Sequence, residues 1–395
     1  MRRLTGLPRF VLQRARNAVY TLTYAVVARV RPIRPGSVIF VTNRTAELTD
    51  NLRCLDEALD HGTYSVSRWF FAPGRSLPAQ WWQSLRFIVA MAQTQYVLVD
   101  DFFALVYAVK VRPGAKLVQV WHALGAMKRV GYSRSGRGQA APFGSVTHRN
   151  YTDVIVSADS IRPDYAEAFG VAVSRVHATG APRSDLFFDE AAQAAARARL
   201  YAEVPALAGR RVILFAPTFR GETKRTATYP PEFCDLERLG AALAEDDLLV
   251  IKMHPFVTGR PAIPAQWADR VVDLSDTREF NELLLVTDVL VTDYSSAIFE
   301  YALLGRPVIF YTPDLAAYDH GRGFYYDFST YTYGPVATDL DRLSDLLRAP
   351  TLDLVRLAVF REQFLNRCDG HATHRVIETI FADRPLSRDP APARR

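Results

Sequence analysis

Short apolar runs alternate with helical stretches along most of the chain, and this alternation limits the possible folds more than any other feature. A first series of apolar runs extends from SVIFVT (37–42) to RVHATG (175–180). A second series extends from RVILFAPT (211–218) to PVIFYT (307–312). Strands that alternate with helices are typical of βαβ units around parallel sheets. The sequence therefore predicts an α/β protein with two domains of similar size and a cleft between them.

The chain of 395 residues divides into four predicted segments. Residues 1–36 form a basic, partly apolar N-terminal segment, and residues 383–395 form a proline- and arginine-rich tail that we expect to be disordered. The first α/β domain is predicted over 37–205 and the second over 206–382, with a Gly/Pro-containing joint near the boundary. Ligands of such sheets bind beyond the carboxyl ends of the strands, so the informative residues should follow the strands.

The N-terminal segment has an uncharged run over 17–28 that arginines flank on both sides. This run is shorter than the ~20 residues that a helix needs to span a bilayer. Valine and leucine recur at roughly helical spacing, which predicts an amphipathic helix. Two interpretations remain open: the helix lies on an anionic membrane surface, or it packs its apolar face on the protein's own body.

The composition excludes several classes of protein. Apolar residues make up 49% and charged residues 23%, which is typical of a globular chain and not of a fibrous or disordered one. The three cysteines are too few and too far apart for a disulfide framework, which fits a reducing cytoplasm. Basic residues are scattered, so we expect no nucleic-acid binding, and we expect neither a cofactor nor a metal site. The P-loop, GxGxxG and GxSxG motifs are absent.

The strongest candidate site is the segment 289–311, where a buried apolar strand is followed by the start of a helix. Serines at a helix start place hydroxyls and backbone N–H groups where an anion can bind, although ordinary N-capping gives the same pattern. A glutamate one turn further on could reach a ribose or a base. The candidate donor-site residues here are Thr292, Asp293, Ser295, Ser296 and Glu300.

Two histidines are further candidates. His254 follows Lys252 by two residues at a predicted strand end, so the two side chains would project from the same face and could clamp a phosphate. His122 follows the strand LVQVW and precedes small residues, which suits a general base near a substrate. Either histidine has a purely structural alternative at the edge of a core.

Weaker candidates are charged residues that follow other strands. Arg220 follows a predicted strand and could contact an anion, and Arg322 lies in a segment that we interpret as an aromatic loop lining an acceptor channel. The remaining acceptor-side candidates are Lys128, Arg183 and Asp185.

Four ordered motifs together resemble the CDP-glycerol glycerophosphotransferase family of teichoic-acid primases and polymerases. They are WHALGAMKRVGYS (121–133), TGAPRSDLFF (179–188) with ILFAPTFR (213–220), KMHPF (252–256), and VTDYSSAIFEYALLGRPVIFYTPDLAAYDHGRGFYYDF (291–328). The resemblance implies a GT-B-like fold of two Rossmann-like domains: an acceptor domain followed by a CDP-donor domain. It also implies a peripheral location on the cytoplasmic face of the membrane, reached through the N-terminal segment.

The resemblance further implies attack of an acceptor hydroxyl on the β-phosphorus of CDP-glycerol, with release of CMP. The acceptor would be lipid-linked polyol phosphate or a glycan. By matching motif, His122 would be the base and His254 would stabilise the transferring phosphate. Thr292, Asp293, Ser295 and Ser296 would hold the donor, with Arg220 and Lys252 as supporting cations. Positioned cations and N–H donors supply most of the catalysis in such a reaction.

Three alternatives remain. The residues after His122 differ from the WHGTP of many members, which leaves CDP-ribitol open as the donor. A GT-B glycosyltransferase that uses a nucleotide-sugar would have a similar phosphate site. A catalytically inactive nucleotide-binding protein on a membrane is the third, and the presence of both His122 and His254 argues against it.

Overall fold

A computed structural model describes residues 7–71, 76–134, 148–221, 225–276 and 280–382. The tail over 383–395, for which we predicted disorder, lies outside these ranges. Contacts divide the chain into two compact units. Unit 1 comprises residues 1–123, 130–183 and 367–395, and unit 2 comprises residues 124–129 and 184–366. The cleft between two domains stays a prediction.

Unit 1 contains a sheet of six parallel strands in the order β2-β1-β3-β4-β5-β6. The strands are β1 (Arg34–Thr42), β2 (Ser65–Phe70), β3 (Thr94–Val99), β4 (Lys116–Gln119), β5 (Asp153–Val156) and β6 (Val176–Ala178). The helices are α1 (Leu7–Val30), α2 (Asp50–Ala58), α3 (Leu77–Met91), α4 (Ala104–Tyr107), α5 (Arg162–Phe169) and the late helix α13 (Ala372–Ile380).

Unit 2 contains a second sheet of six parallel strands, in the order β12-β11-β10-β7-β8-β9. The strands are β7 (Arg211–Phe215), β8 (Asp247–Ile251), β9 (Val271–Asp273), β10 (Val289–Thr292), β11 (Val308–Tyr311) and β12 (Val336–Ala337). The helices are α6 (Glu190–Glu203), α7 (Leu236–Ala242), α8 (Phe280–Val286), α9 (Ala297–Leu304), α10 (Leu315–Arg322), α11 (Leu340–Arg348) and α12 (Leu354–Leu365).

The two sheets confirm the predicted α/β class. Central strands such as β8 and β10 are buried along their whole length, because helices cover both faces of a parallel sheet. This double burial is why the strands appear in the sequence as continuous apolar runs and not as alternating ones. In each sheet the strand order reverses once, between β1 and β3 in unit 1 and between β7 and β10 in unit 2. The carboxyl ends of strands at such a switch point are where open α/β sheets bind ligands.

The contacts place the boundary between the units at a different position from the sequence prediction of 205/206. Unit 1 gives way to unit 2 after Arg183, so α6 belongs to unit 2. The predicted second domain also loses its last helix, because α13 packs in unit 1, where Val376, Ile377 and Ile380 join the core of the first sheet. The short segment 124–129 belongs to unit 2, although it lies in sequence between parts of unit 1.

Helix α1 forms as the sequence predicts, and one of its faces packs on unit 1. Tyr20 and Tyr24 are buried, and the Tyr24 hydroxyl accepts a hydrogen bond from the backbone N–H of Arg112 at 3.2 Å. Apolar residues on other parts of the helix are exposed, among them Leu22 at 66% and Val26 at 52%. None of the described helices combines the length and the hydrophobicity that a bilayer crossing requires.

Candidate active site

A cluster of charged residues lies at the switch point of the first sheet. Arg44 follows β1, and Asp100 and Asp101 follow β3. The Arg44 guanidinium is 3.8 Å from a carboxylate oxygen of each aspartate and 3.4 Å from Asp50 of α2. Burial raises the pKa of Asp100 to about 6, against the opposing effect of Arg44. Predicted candidate Arg183 joins the same cluster, 3.5 Å from Asp50.

His122 belongs to this cluster, three residues beyond the end of β4. Its Nδ1 is 3.6 Å from Oδ1 of Asp101. Although a third of the side chain is exposed, the surrounding protein atoms lower the pKa of the imidazole. The Asp101 carboxylate acts in the opposite direction, and the guanidinium groups of Arg44 and Arg183 lower the pKa further. The ring is therefore neutral near pH 7. At 3.6 Å the Asp101 carboxylate makes no hydrogen bond to Nδ1, but its negative charge favours a proton on Nδ1, which leaves Nε2 able to accept one.

A buried ion pair occupies the switch point of the second sheet. Arg220 follows β7, and its guanidinium lies 2.9 Å from Asp293 at the end of β10 and 2.6 Å from Asp314 after β11. Its Nη1 also donates to the backbone oxygen of Thr218 at 2.9 Å. Burial alone would lower the pKa of Arg220, but the two carboxylates more than offset that effect and raise it. Aromatic rings enclose the guanidinium, with the Tyr294 ring centroid 5.0 Å from its carbon.

The predicted serines lie at the start of α9, as expected. Ser296 precedes the first helical residue, Ala297, and the Ser295 hydroxyl accepts from the Ala297 N–H at 3.3 Å. Both serines are half-buried. Thr292 is buried, and its hydroxyl donates to the backbone oxygen of Ala216 at 2.6 Å, which ties β10 to the segment after β7.

The prediction for Lys252 and His254 needs correction. Strand β8 ends at Ile251, so neither residue lies in the strand and the alternation of a strand does not apply to them. The Lys252 ammonium is buried and donates to the backbone oxygen of Ser275 at 2.9 Å. Burial lowers the pKa of Lys252 to about 8, so the group is mainly protonated at neutral pH. The half-buried His254 ring lies against Phe219, with centroids 4.7 Å apart.

The tautomer of His254 follows from one hydrogen bond. Its Nδ1 accepts the backbone N–H of Phe256 at 3.1 Å, so the proton of the neutral ring is on Nε2. An Nε2–H group is a donor that can stabilise a phosphoryl oxygen.

The remaining candidates all lie in unit 2. Lys128 lies in unit 2, with its ammonium 3.4 Å from the Thr218 hydroxyl. Arg322 is the last residue of α10, a helix that the sequence analysis did not predict, and is not part of a loop. Asp185 lies half-buried in a short 3-10 helix, and Glu300 is almost fully buried in α9, which does not favour the predicted ribose contact. Within the described ranges, no group of three or more histidine, cysteine or carboxylate side chains is placed to hold a metal ion.

Comparison with known proteins identifies the family. The sequence model of the family CDP-Glycerol:Poly(glycerophosphate) glycerophosphotransferase matches residues 23–382. The chain belongs to this glycerophosphotransferase family. It is 40% identical over 373 residues to the teichoic acid poly(ribitol-phosphate) polymerase of Bacillus spizizenii, which covers 93% of this chain. It is 30% identical over 383 residues to the teichoic acid ribitol-phosphate primase of the same organism, covering 93% of this chain and 97% of the primase.

The matches to this family include enzymes named for two polyols. Relatives named for glycerol phosphate match at 25–31% identity. The chain spans 60% of the length of the Bacillus poly(ribitol-phosphate) polymerase. The family is thus one of teichoic acid polyol-phosphate primases and polymerases, and the resemblance predicted from the four motifs is confirmed.

Solved structures show the same fold for the family. A histidine variant of the wall teichoic acid polymerase TagF, soaked with CDPG, superimposes with a TM-score of 0.75 at 20% identity, covering 96% of each chain. The fold is GT-B-like, with two parallel sheets.

The residues at the first switch point that the sequence analysis missed are Arg44, Asp100 and Asp101. Arg44 follows β1, and Asp100 and Asp101 follow β3, so the strand-end rule that selected His122 could also have selected them. In this glycerophosphotransferase-family chain they surround the histidine with charges of both signs. A neutral imidazole beside a carboxylate can accept a proton from a hydroxyl and release it again.

Proposed function

We propose that the protein transfers a polyol phosphate from a CDP-polyol to a hydroxyl of a teichoic-acid-type acceptor and releases CMP. The acceptor oxygen attacks the β-phosphorus, the bond from that phosphorus to the bridging oxygen breaks, and CMP leaves with the bridging oxygen. The hydroxyl proton passes to Nε2 of His122. The observation that carries the proposal is the neutral His122 imidazole beside Asp101 at a switch point, in a chain of this family.

The donor site of the proposal lies in unit 2. The hydroxyls of Ser295 and Ser296, the ammonium of Lys252 and the Nε2–H of His254 are the proposed partners of the donor phosphates. Contacts from several such groups stabilise the negative charge on a transferring phosphoryl group. We do not include Arg220 among the groups that contact the donor phosphates, because its guanidinium already donates to two carboxylates and a backbone oxygen. It orients the turns after β7 and β10 that carry the site.

Ribitol phosphate is the polyol that we propose, in place of the glycerol phosphate favoured by the motifs alone. The relatives named for ribitol phosphate reach 40% identity, above the 31% of those named for glycerol phosphate. Purified protein should be given CDP-ribitol, CDP-glycerol or UDP-sugars together with a lipid-linked polyol-phosphate acceptor. We expect acceptor-dependent CMP mainly from CDP-ribitol. CMP from CDP-glycerol alone would reverse the choice of polyol, and UDP from a sugar donor would contradict the proposed chemistry.

We also propose that α1 holds the protein on the cytoplasmic face of the membrane as a peripheral protein. Its exposed apolar residues are interspersed with exposed arginines, which suits an anionic lipid surface. Helix α3 packs beside α1 and exposes Trp82 at 61%, a residue type that favours the depth of lipid headgroups.

Glutamates in place of Leu22 and Val26 should release the protein from vesicles that contain anionic lipid. Both side chains are exposed, so the substitution should leave the unfolding temperature unchanged while it places two charges where the apolar contact is proposed. Vesicle cosedimentation measures the effect. The matched control replaces Leu354 and Val355 of α12, exposed at 69% and 76%, with glutamates. Equal binding by the Leu22/Val26 variant and the control would contradict the proposed membrane contact.

A further inference from the structure

The residue before His122 has an unusual backbone. Trp121 has a φ of +51°, in the left-handed region that bulky residues rarely adopt. Its side chain is buried, with the Phe169 ring centroid 5.4 Å from its own. A non-glycine residue persists in such a conformation only where its surroundings hold it there. The direction of the chain at His122 therefore depends on the backbone conformation of Trp121.

Two buried side-chain amides form hydrogen bonds with the backbone N–H and the backbone oxygen of Trp121. The Gln119 Oε1 accepts from the Trp121 N–H at 2.9 Å, and the Asn51 Nδ2 donates to the Trp121 oxygen at 2.8 Å. Gln119 is 0% exposed and Asn51 is 1% exposed. Buried amides at these positions cannot exchange their partners for water, so each fixes one side of the turn.

The other ends of the same amides reach the charged cluster around His122. The Gln119 Nε2 donates to the backbone oxygen of Asp101 at 3.2 Å and to the Tyr151 hydroxyl at 2.9 Å. Gln119 therefore links the backbone of the aspartate beside His122 to the backbone that carries His122. The Asn51 Oδ1 accepts from the backbone N–H of Arg183 at 2.9 Å, which fixes the residue whose guanidinium lowers the pKa of the histidine.

We propose that Asn51 and Gln119 are positioning residues that hold Trp121 in its left-handed conformation and so place the His122 ring beside Asp101. The proposal rests on the proposed role of His122 as the base. A carboxamide is required at each position because each side chain both donates and accepts. An aliphatic side chain of similar size would fill the same space and provide neither bond.

Replacing Gln119 with methionine tests the proposal. We expect kcat for CMP release to fall about 100-fold, since displacing a reacting group by about 1 Å has an effect of this size. The KM for the CDP-polyol should change less than about twofold, because other residues make the proposed contacts to the CDP-polyol. The acid limb of the kcat pH profile should move upward, toward the ordinary histidine pKa of about 6.5, as the ring loses its enclosed position.

The matched control is Gln95→Met. The Gln95 Oε1 accepts from the backbone N–H of Gly36 at 2.7 Å, and Gly36 also has a positive φ of 73°. This bond lies at the amino ends of β1 and β3, at the opposite end of the sheet from His122. We expect Gln95→Met to leave kcat and the pH profile as in the wild type.

Three further variants make each outcome decisive. Gln119→Glu keeps the oxygen that accepts from Trp121 but places its second oxygen against the backbone oxygen of Asp101, so it should lose kcat as Gln119→Met does. Asn51→Ser is too short to reach the Trp121 oxygen and should repeat the loss of kcat even if Gln119→Met fails to fold. Wild-type kcat and pH profile in a folded Gln119→Met or Asn51→Ser protein would overturn the proposal. Wild-type activity of His122→Ala would instead remove the base on which the proposal rests.

Discussion

Replacing His122 with alanine is expected to lower kcat by about 10²- to 10⁴-fold, because general-base catalysis contributes an effect of this size. The KM for the CDP-polyol should change little. The unfolding temperature should stay within a few degrees of the wild type, since a third of the side chain is exposed. CMP release under saturating donor and acceptor measures kcat.

The pH profile provides an independent test of the same residue. Because its surroundings lower the pKa of His122, the imidazole is already neutral at pH 6, and its titration should contribute no change in kcat between pH 6 and pH 7. A histidine with an ordinary pKa of about 6.5 would lose much of the rate over that interval. The control is His177→Ala, which removes another histidine of unit 1 paired with an aspartate, Asp153, at 2.8 Å. Unchanged kcat in His122→Ala, or a loss as large in His177→Ala, would contradict the role of His122 as the base.

Replacing Arg220 with methionine is expected to lower the free energy of unfolding by about 3–5 kcal/mol, the range found when one partner of a buried pair is removed. Asp293 is 1% exposed, and the substitution leaves its carboxylate buried without the guanidinium. Burial raises the pKa of Asp293 in the folded state, and the loss of Arg220 should raise it further. Urea unfolding of both proteins at several pH values measures the effect.

The sign of the pH dependence distinguishes this cause from lost packing. A carboxyl group whose pKa is higher in the folded state binds more protons folded than unfolded, so folding becomes more favourable as the pH falls. The difference between Arg220→Met and the wild type should therefore be largest at neutral pH and smaller at pH 5. Adding Asp293→Asn should restore part of the stability. A difference that is independent of pH and is not relieved by Asp293→Asn would show that the ion pair is not the cause.

The strand-end rule accounts for most of what the sequence could predict about the site. His122, Arg220 and the Ser295–Ser296 pair all follow strands, and the structure places them at or near the switch points of the two sheets. The apolar runs predicted the parallel strands because burial on both faces removes polar residues from them. The error at Lys252 arose from extending β8 past its end at Ile251.

Partners that are distant in sequence account for what the sequence could not predict. Arg220 resembles a phosphate-binding cation locally, but its carboxylate partner Asp314 is 94 residues away. Asn51 donates to the backbone of Trp121 across 70 residues, and no local pattern marks an asparagine in the first turn of a helix for that contact. Such hydrogen bonds depend on the register in which the strands assemble. The grouping of α13 with unit 1 depends in the same way on distant contacts, because this helix returns to the first sheet at the end of the chain.

The products of a single turnover test the central claim, that the polyol is transferred together with its phosphate. Purified protein should be incubated with CDP-ribitol that carries heavy oxygen in the non-bridging positions of its β-phosphate, together with a defined lipid-linked acceptor, and both products identified by mass spectrometry. We expect unlabelled CMP and an acceptor that gains one labelled ribitol phosphate, with neither product formed by the His122→Ala protein. Labelled CDP, with an acceptor that gains ribitol without phosphate, would contradict attack at the β-phosphorus and the function proposed here.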